Sequence, residues 1–191
     1  MKHDPEVRVC QWSDKEDWAL CPTVGRSGIT VEVGPIAHST AEAGWFQTTK
    51  EHMLRALDLI ETHNQGLADQ PADGKHPPAV EKEVSVFQLV GNVDYPRDSN
   101  GDLEGLIHPD RQGADFKMIK DGDPAFLLHD GTVQPFAASS CGEEAVEEAS
   151  KGTLYSFFVN EAAYYEKKMA FMVARKVQRK VQVPHWLADL V

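Results

Sequence analysis

Gly28-Ile29-Thr30-Val31-Glu32-Val33-Gly34-Pro35 is the stretch on which the reading of this chain turns. Ile29, Val31 and Val33 alternate with Thr30 and Glu32, and β-branched residues at that period suit a pleated, half-buried strand. Gly34-Pro35 ends the run, because proline has no amide hydrogen to give a ladder. Glu32 is the residue that needs a reason. On an open strand face it is an ordinary solvated carboxylate. On a strand covered on both faces, an unpaired carboxylate costs on the order of several kcal/mol or takes up a proton. At the end of such a strand it is a candidate proton carrier.

Composition limits the classes open to the chain. Its 191 residues allow one large domain or two small ones, and 41% hydrophobic content is enough to bury a core. Thirty acidic residues against nineteen basic ones leave a formal charge of -11, which opposes binding to phosphate backbones or anionic lipid by bulk electrostatics. Neither nucleic acid nor a membrane is expected as a partner. The three cysteines, Cys10, Cys21 and Cys141, are odd in number and show no C-x-x-C spacing, so they read as thiols in a reducing compartment. No apolar run approaches ~18 residues, and Met1-Lys2-His3-Asp4 does not open a signal peptide, so a cytoplasmic protein is expected.

Upstream of the stretch, Val7-Arg8-Val9-Cys10 reads as a short strand, and Trp12 and Trp18 lie in a polar loop, where their rings are expected to pack over a core edge. Downstream, Ser39 and Thr40 offer helix-capping hydroxyls, and Phe46, Met53, Leu57 and Ile60 recur at helical spacing. This predicts a helix over about residues 43–63, its apolar stripe in the core and Asn64-Gln65-Gly66 as its stop. A strand, a turn and a returning helix make an α/β unit. Pro71, Gly74, Pro77 and Pro78 then mark a junction. The expected organisation is therefore a partial α/β domain over 1-66, a linker over 67-80 and a small, mainly β domain over 81-191. In that second domain, residues 84–90, 103–108, 154–159 and 177–183 read as strands, and Asp130-Gly131 as a hairpin turn. Glu143, Glu144, Glu147 and Glu148 read as the solvated side of a short helix or loop.

Several spaced motifs then point one way. The opening stretch, Asp94-Tyr95-Pro96-Arg97-Asp98 with Asn100-Gly101, Ile107-His108-Pro109, Gly122-Asp123-Pro124 and Val159-Asn160-Glu161-Ala162-Ala163-Tyr164-Tyr165-Glu166-Lys167-Lys168 together resemble the aspartoacylase branch of the aspartoacylase and succinylglutamate desuccinylase family. The resemblance runs from about Gly28 to Lys168. It implies an α/β plus β fold: the C-terminal piece of a zinc carboxypeptidase-like α/β domain, followed by a β domain that covers the active site. It also implies hydrolysis of an N-acyl amino acid such as N-acetylaspartate to a carboxylate and the free amino acid, with zinc-bound water as nucleophile. By motif, Glu32 matches the glutamate that accepts the water's proton. Tyr164 matches a substrate-binding tyrosine, and Glu161 matches a glutamate that supports the same loop.

The sequence departs from that pattern at its start. The family's His-x-x-Glu zinc pair, its later histidine and its Asp-x-Asn-Arg substrate segment stand well before the catalytic glutamate, and only 31 residues precede Glu32. His3 and Glu6 have the spacing of a zinc pair but do not follow the expected strand and glycine-rich turn, so no residue of this chain is assigned to the metal. Pro22 stands near the place of the family's substrate-gripping arginine, leaving that role unassigned beside Arg26, and Trp18 stands near a pocket-lining tyrosine. The expectation is the C-terminal part of an amidohydrolase, inactive alone, that self-associates or pairs with its missing half. Its alternatives are a non-catalytic binding or capping module and one chain of a split enzyme.

Overall fold

The computed structural model describes residues 8–11, 28–34, 36–37, 40–70, 77–161 and 164–188. Two compact units divide the chain: one comprises Met1–Glu16 with Ser85–Gln178, the other Asp17–Val84 with Arg179–Val191.

The first unit is built on mixed β structure. Strands β1 (Val9–Gln11), β2 (Val80–Val93), β4 (Lys117–Met118), β7 (Leu154–Phe157) and β8 (Phe171–Val183) form one sheet in the order β1-β2-β8-β7-β4. The unit boundary falls within β2 and β8. β1 pairs with β2 in parallel, Val9 opposite Val86, whereas β7 runs antiparallel to β8 and β4 antiparallel to β7. A second sheet holds β3 (Gly105–Ile107), β5 (Pro124–Leu128) and β6 (Val133–Pro135) in the order β3-β5-β6.

The core lies where both faces of β7 and β8 are covered. Leu154, Phe157, Phe171 and Val173 are fully buried, and the run Phe171-Met172-Val173-Ala174 is buried without alternation. That is why it reads as continuously apolar rather than as a period of two. Phe171 packs between Phe126 and Phe136, with ring centroids 6.0 and 6.1 Å away. Helix α2 (Glu143–Lys151) covers part of this core with Ala145 and Ala149, while Glu143, Glu144 and Glu147 are exposed. Glu148, read from sequence as solvated with them, is instead largely covered and accepts from the Thr153 hydroxyl. Gly152, at φ +69°, closes that helix in the left-handed conformation. The Asp130-Gly131 hairpin forms as its turn chemistry requires: Gly131 sits at φ +87°, and the Asp130 side chain accepts the Thr132 N–H at 2.8 Å.

The second unit corrects three expectations. The first is that residues 28–33 form a strand. They are irregular, with Ile29 80% and Val31 50% exposed. Alternating β-branched residues form a strand only where a neighbour takes up the backbone hydrogen bonds, and no described strand pairs with them. Second, helix α1 runs Ala43–Ala68, past Asn64-Gln65-Gly66, with the Asp69 N–H still bonding the Gln65 carbonyl at 2.9 Å. Gly66 does not turn left-handed; instead a Cβ there would lie 2.3 Å from the Trp186 ring, so the glycine is a notch for that indole. The N-cap is Glu42, which makes no side-chain cap, and the Thr40 hydroxyl donates to the Ala37 carbonyl rather than accepting from the helix. Third, the apolar stripe of α1 is not core: none of its residues is buried, and Phe46, Met53, Leu57 and Ile60 are each more than half exposed.

Candidate active site

Tyr164 opens a single 3-10 turn, Tyr164–Lys167, immediately beyond Glu161 and residues 162–163. Its N–H bonds the Glu161 carbonyl at 3.3 Å, and the Met169 N–H returns to the Tyr164 carbonyl at 3.1 Å. The structure therefore brings Glu161 and Tyr164 together in one turn. Both side chains are half-buried, and Lys167 Nζ stands 5.0 Å from the Tyr164 ring centroid, within range of the negative face of the ring.

The backbone around that turn is strained. Phe158, Asn160 and Lys168 have φ of +54°, +53° and +56°, a region that costs a residue with a Cβ roughly 1–2 kcal/mol. Such conformations persist only where surrounding bonds over-determine them, and here those bonds are present. Asp115 Oδ1 accepts the Val159 N–H at 3.0 Å, and the Asn160 N–H bonds the Ala170 carbonyl at 2.8 Å. The Asn160 side chain accepts from the Tyr95 hydroxyl at 2.6 Å and donates to Gln112 Oε1 at 2.8 Å. Burial, followed by the neighbouring Asp94 carboxylate, pushes the Tyr95 phenol up, so it keeps the proton it donates.

Arg97 supplies the remaining tie. Its Nε and one terminal nitrogen bond the two Asp94 oxygens at 2.9 and 3.2 Å, and another donates to the Gly101 carbonyl at 2.9 Å. It also donates to the Tyr165 carbonyl at 2.6 Å. The motif around Asp94 and the motif around Tyr164, separate in sequence, are thus one hydrogen-bonded object. Both motifs stand out in the sequence, but nothing in it points to a role for Asp94, Tyr95, Arg97 or Asn160. An arginine three residues after an aspartate is a local signal, but the Tyr165 carbonyl that Arg97 also reaches is 68 positions away and no spacing encodes it.

The segments after Ile107-His108-Pro109 and around Gly122-Asp123-Pro124 hold one another: the His108 N–H bonds the Ala125 carbonyl at 2.9 Å, and the Arg111 N–H bonds the His108 carbonyl at 2.8 Å. Arg111, three residues past His108, is 7% exposed, reaches Asp123 of Gly122-Asp123-Pro124 at 3.6 Å and donates to buried Ser156 Oγ at 3.3 Å. Burial lowers its hold on its proton, and Asp123 opposes that. Asp121 and Asp123 each accept a backbone N–H, from Ala138 at 2.7 Å and Lys120 at 2.9 Å.

Glu32 belongs to the second unit and sits on the irregular, exposed stretch. The buried-strand argument for it as a proton carrier therefore does not apply in this structure. Nearby atoms nonetheless desolvate its carboxyl enough to raise its proton affinity above the usual value. His3, Glu6, Trp18, Pro22 and Arg26 lie outside the described residues. Among the described residues no group of three or more His, Cys, Asp or Glu side chains could hold a metal ion, so these residues do not fit a zinc centre. No described helix is long and apolar enough to cross a membrane.

Residues 82–176 match the AstE/AspA barrel-sandwich hybrid domain, which gives the class of the first unit. Similarity to whole proteins extends further. A probable aspartoacylase of Nostoc sp. is 32% identical over 173 residues, 91% of this chain and 52% of that protein. The Mus musculus aspartoacylase is 33% identical over 84% of this chain and 44% of its own length. The Mus musculus N-acyl-aromatic-L-amino acid amidohydrolase (carboxylate-forming) is 34% identical over 85% and 43%. The crystal structure of a glutamate-to-alanine mutant of murine aminoacylase 3 superposes with a TM-score of 0.73 at 27% identity, over 93% of this chain and 51% of that one. The chain belongs to the aspartoacylase and succinylglutamate desuccinylase family. It spans about half the length of the curated relatives it matches.

Proposed function

We propose that this chain is the C-terminal part of an aspartoacylase-like, zinc-dependent amidohydrolase that converts an N-acyl amino acid, such as N-acetylaspartate, and water to a carboxylate and the free amino acid. The observation that carries the reading is Tyr164, half-buried on a loop whose strained backbone is tied down from several sides. A phenol held in that way can hydrogen-bond a substrate with little loss of side-chain freedom. Glu161 supports the turn through the carbonyl that takes the Tyr164 N–H. Glu32 is the general base: it accepts a proton from the attacking water and returns it to the leaving nitrogen. Its raised proton affinity is in the right direction for that task.

In this reading residues 1-66 are a partial carboxypeptidase-like domain, 67-80 a linker and 81-191 the domain that covers the site. The metal ligands belong to a preceding half, the working location is the cytoplasm, and neither nucleic acid nor a membrane is a partner. The test mixes the chain with the first half of a relative, loads zinc and follows N-acetylaspartate hydrolysis. Turnover should require both pieces, and Glu32→Gln should lower it by ~10²-fold. An inactive mixture, or near-normal turnover by Glu32→Gln, would sink the assignment.

The exposed apolar side of α1 favours a related reading, in which this chain is one subunit of a split enzyme or a non-catalytic capping module. Tight zinc-independent association with the first half, without turnover, would select the capping module.

A further inference from the structure

Arg97 differs from the other ties on the Tyr164 loop. Asp115, Tyr95 and Ala170 reach it at Val159 and Asn160, on the side before the turn, whereas Arg97 takes hold inside the turn, at the Tyr165 carbonyl. Its side chain is partly exposed and packs in no core cluster. A guanidinium is a rigid planar fork, and with two bonds to Asp94 and one to Gly101 it is fixed before it meets the loop. An ammonium in its place could not meet the carboxylate with two parallel bonds and still reach the Gly101 and Tyr165 carbonyls.

We infer that Arg97, clamped by Asp94, is a positioning residue: by donating to the Tyr165 carbonyl it sets where the adjoining Tyr164 phenol stands. The inference rests on the reading of Tyr164 as a substrate-binding residue, and its test is built to separate the two. The Lys168 and Met169 amides bond the Tyr165 and Tyr164 carbonyls, so their hydrogen exchange reports the turn directly. The Leu128 and Gly131 amides, in the β5–β6 hairpin, serve as internal controls.

The experiment is amide exchange by NMR on the full 191-residue chain, with 3-fluorotyrosine in place of Tyr164, for the parent, Arg97→Ala, Arg97→Lys and Asp94→Asn. Exchange at Lys168 and Met169 should rise at least ~10-fold in Arg97→Ala, with the hairpin amides unchanged and the fluorine resonance of position 164 broadened or split. Arg97→Lys should restore part of the protection, and Asp94→Asn should lie between it and Arg97→Ala. Parent-like exchange and an unmoved fluorine signal in Arg97→Ala would overturn the inference. Equal acceleration of the turn and hairpin amides would also overturn it, because Arg97 would then be holding the domain rather than the turn. In the reconstituted enzyme, Tyr164→Phe checks the underlying reading separately. Unchanged kcat and KM there would remove Tyr164 from substrate binding while the exchange data still decided what Arg97 does.

Discussion

The Tyr95 hydroxyl donates to Asn160 Oδ1 at 2.6 Å, joining residues 65 positions apart. Tyr95 is 7% exposed and its ring packs 6.0 Å from that of Phe126, so the phenol carries the bond out from the core to the foot of the Tyr164 loop. Tyr95→Phe keeps the ring and removes the donor. Asn160 is exposed, so water can take the vacated acceptor, and the cost should be about 1 kcal/mol rather than the larger penalty of a sealed, unsatisfied group. The urea midpoint at unchanged slope would measure it. A loss above about 3 kcal/mol would mean that the bond organises more than the loop.

Asp115 makes the stability of the first unit depend on pH in an unusual direction. Burial pushes its carboxyl above the ordinary aspartate range, against the pull of the Val159 N–H it accepts. The folded chain thus binds this proton more tightly than the unfolded one. The stabilisation is complete below the unfolded value of about 4 and is lost as pH rises through the folded value. Asp115→Asn should abolish that component, so the difference in stability between parent and variant should shift against the parent as pH rises from about 4. A difference that is flat with pH, or shifts the other way, would contradict the assignment.

Gly66 sets two effects in opposition. Alanine in a helix interior is worth about 1 kcal/mol over glycine, but a Cβ here would come within 2.3 Å of Trp186 Cδ1 and 2.4 Å of Nε1. An indole has no flexible end with which to yield, so Gly66→Ala should be destabilising and should shift the Trp186 indole N–H resonance. In a Trp186→Ala background the same change should become stabilising by about 1 kcal/mol, a reversal of sign measurable in a double-mutant cycle.

The apolar side of α1 should make the isolated chain associate. Met53, Leu57 and Ile60 are 58%, 55% and 57% exposed along one side of the helix, and apolar surface of that kind is seldom left to solvent. Sedimentation velocity should show concentration-dependent species that Leu57→Glu shifts toward monomer. A sharp monomer for the parent at all concentrations would refute this.

How far the sequence could be read followed from where each element finds its partners. The hairpin at Asp130-Gly131 is legible because its determinant is local, a turn dipeptide, whereas the alternation that predicts a strand over 177–183 finds only the less buried end of β8, whose start at Phe171 is a continuously apolar run with no period to read. Residues 28–33 misled because β-propensity describes a surface that fits a neighbour, and the described structure supplies none. The end of α1 misled because Gly66 answers to Trp186, 120 positions on, and not to its own helix. Tyr164 and Glu161 are singled out by the resemblance of their motif, and the structure sets them in one turn, whereas Arg97 reaches that turn through a backbone carbonyl and leaves no side-chain pattern to read.

β1 is three residues long, pairs with Val86–Gln88 of the fourteen-residue β2, and forms one margin of its sheet. It comes from the beginning of the chain, outside the matched domain that starts at residue 82. A protein trimmed to that match would bare the backbone amides and carbonyls of Val86-Phe87-Gln88, a ready template for strand addition by another molecule. Expression boundaries drawn from the domain match alone would therefore remove a guard against aggregation, and a well-behaved recombinant version of this domain should carry residues 8–11 with it.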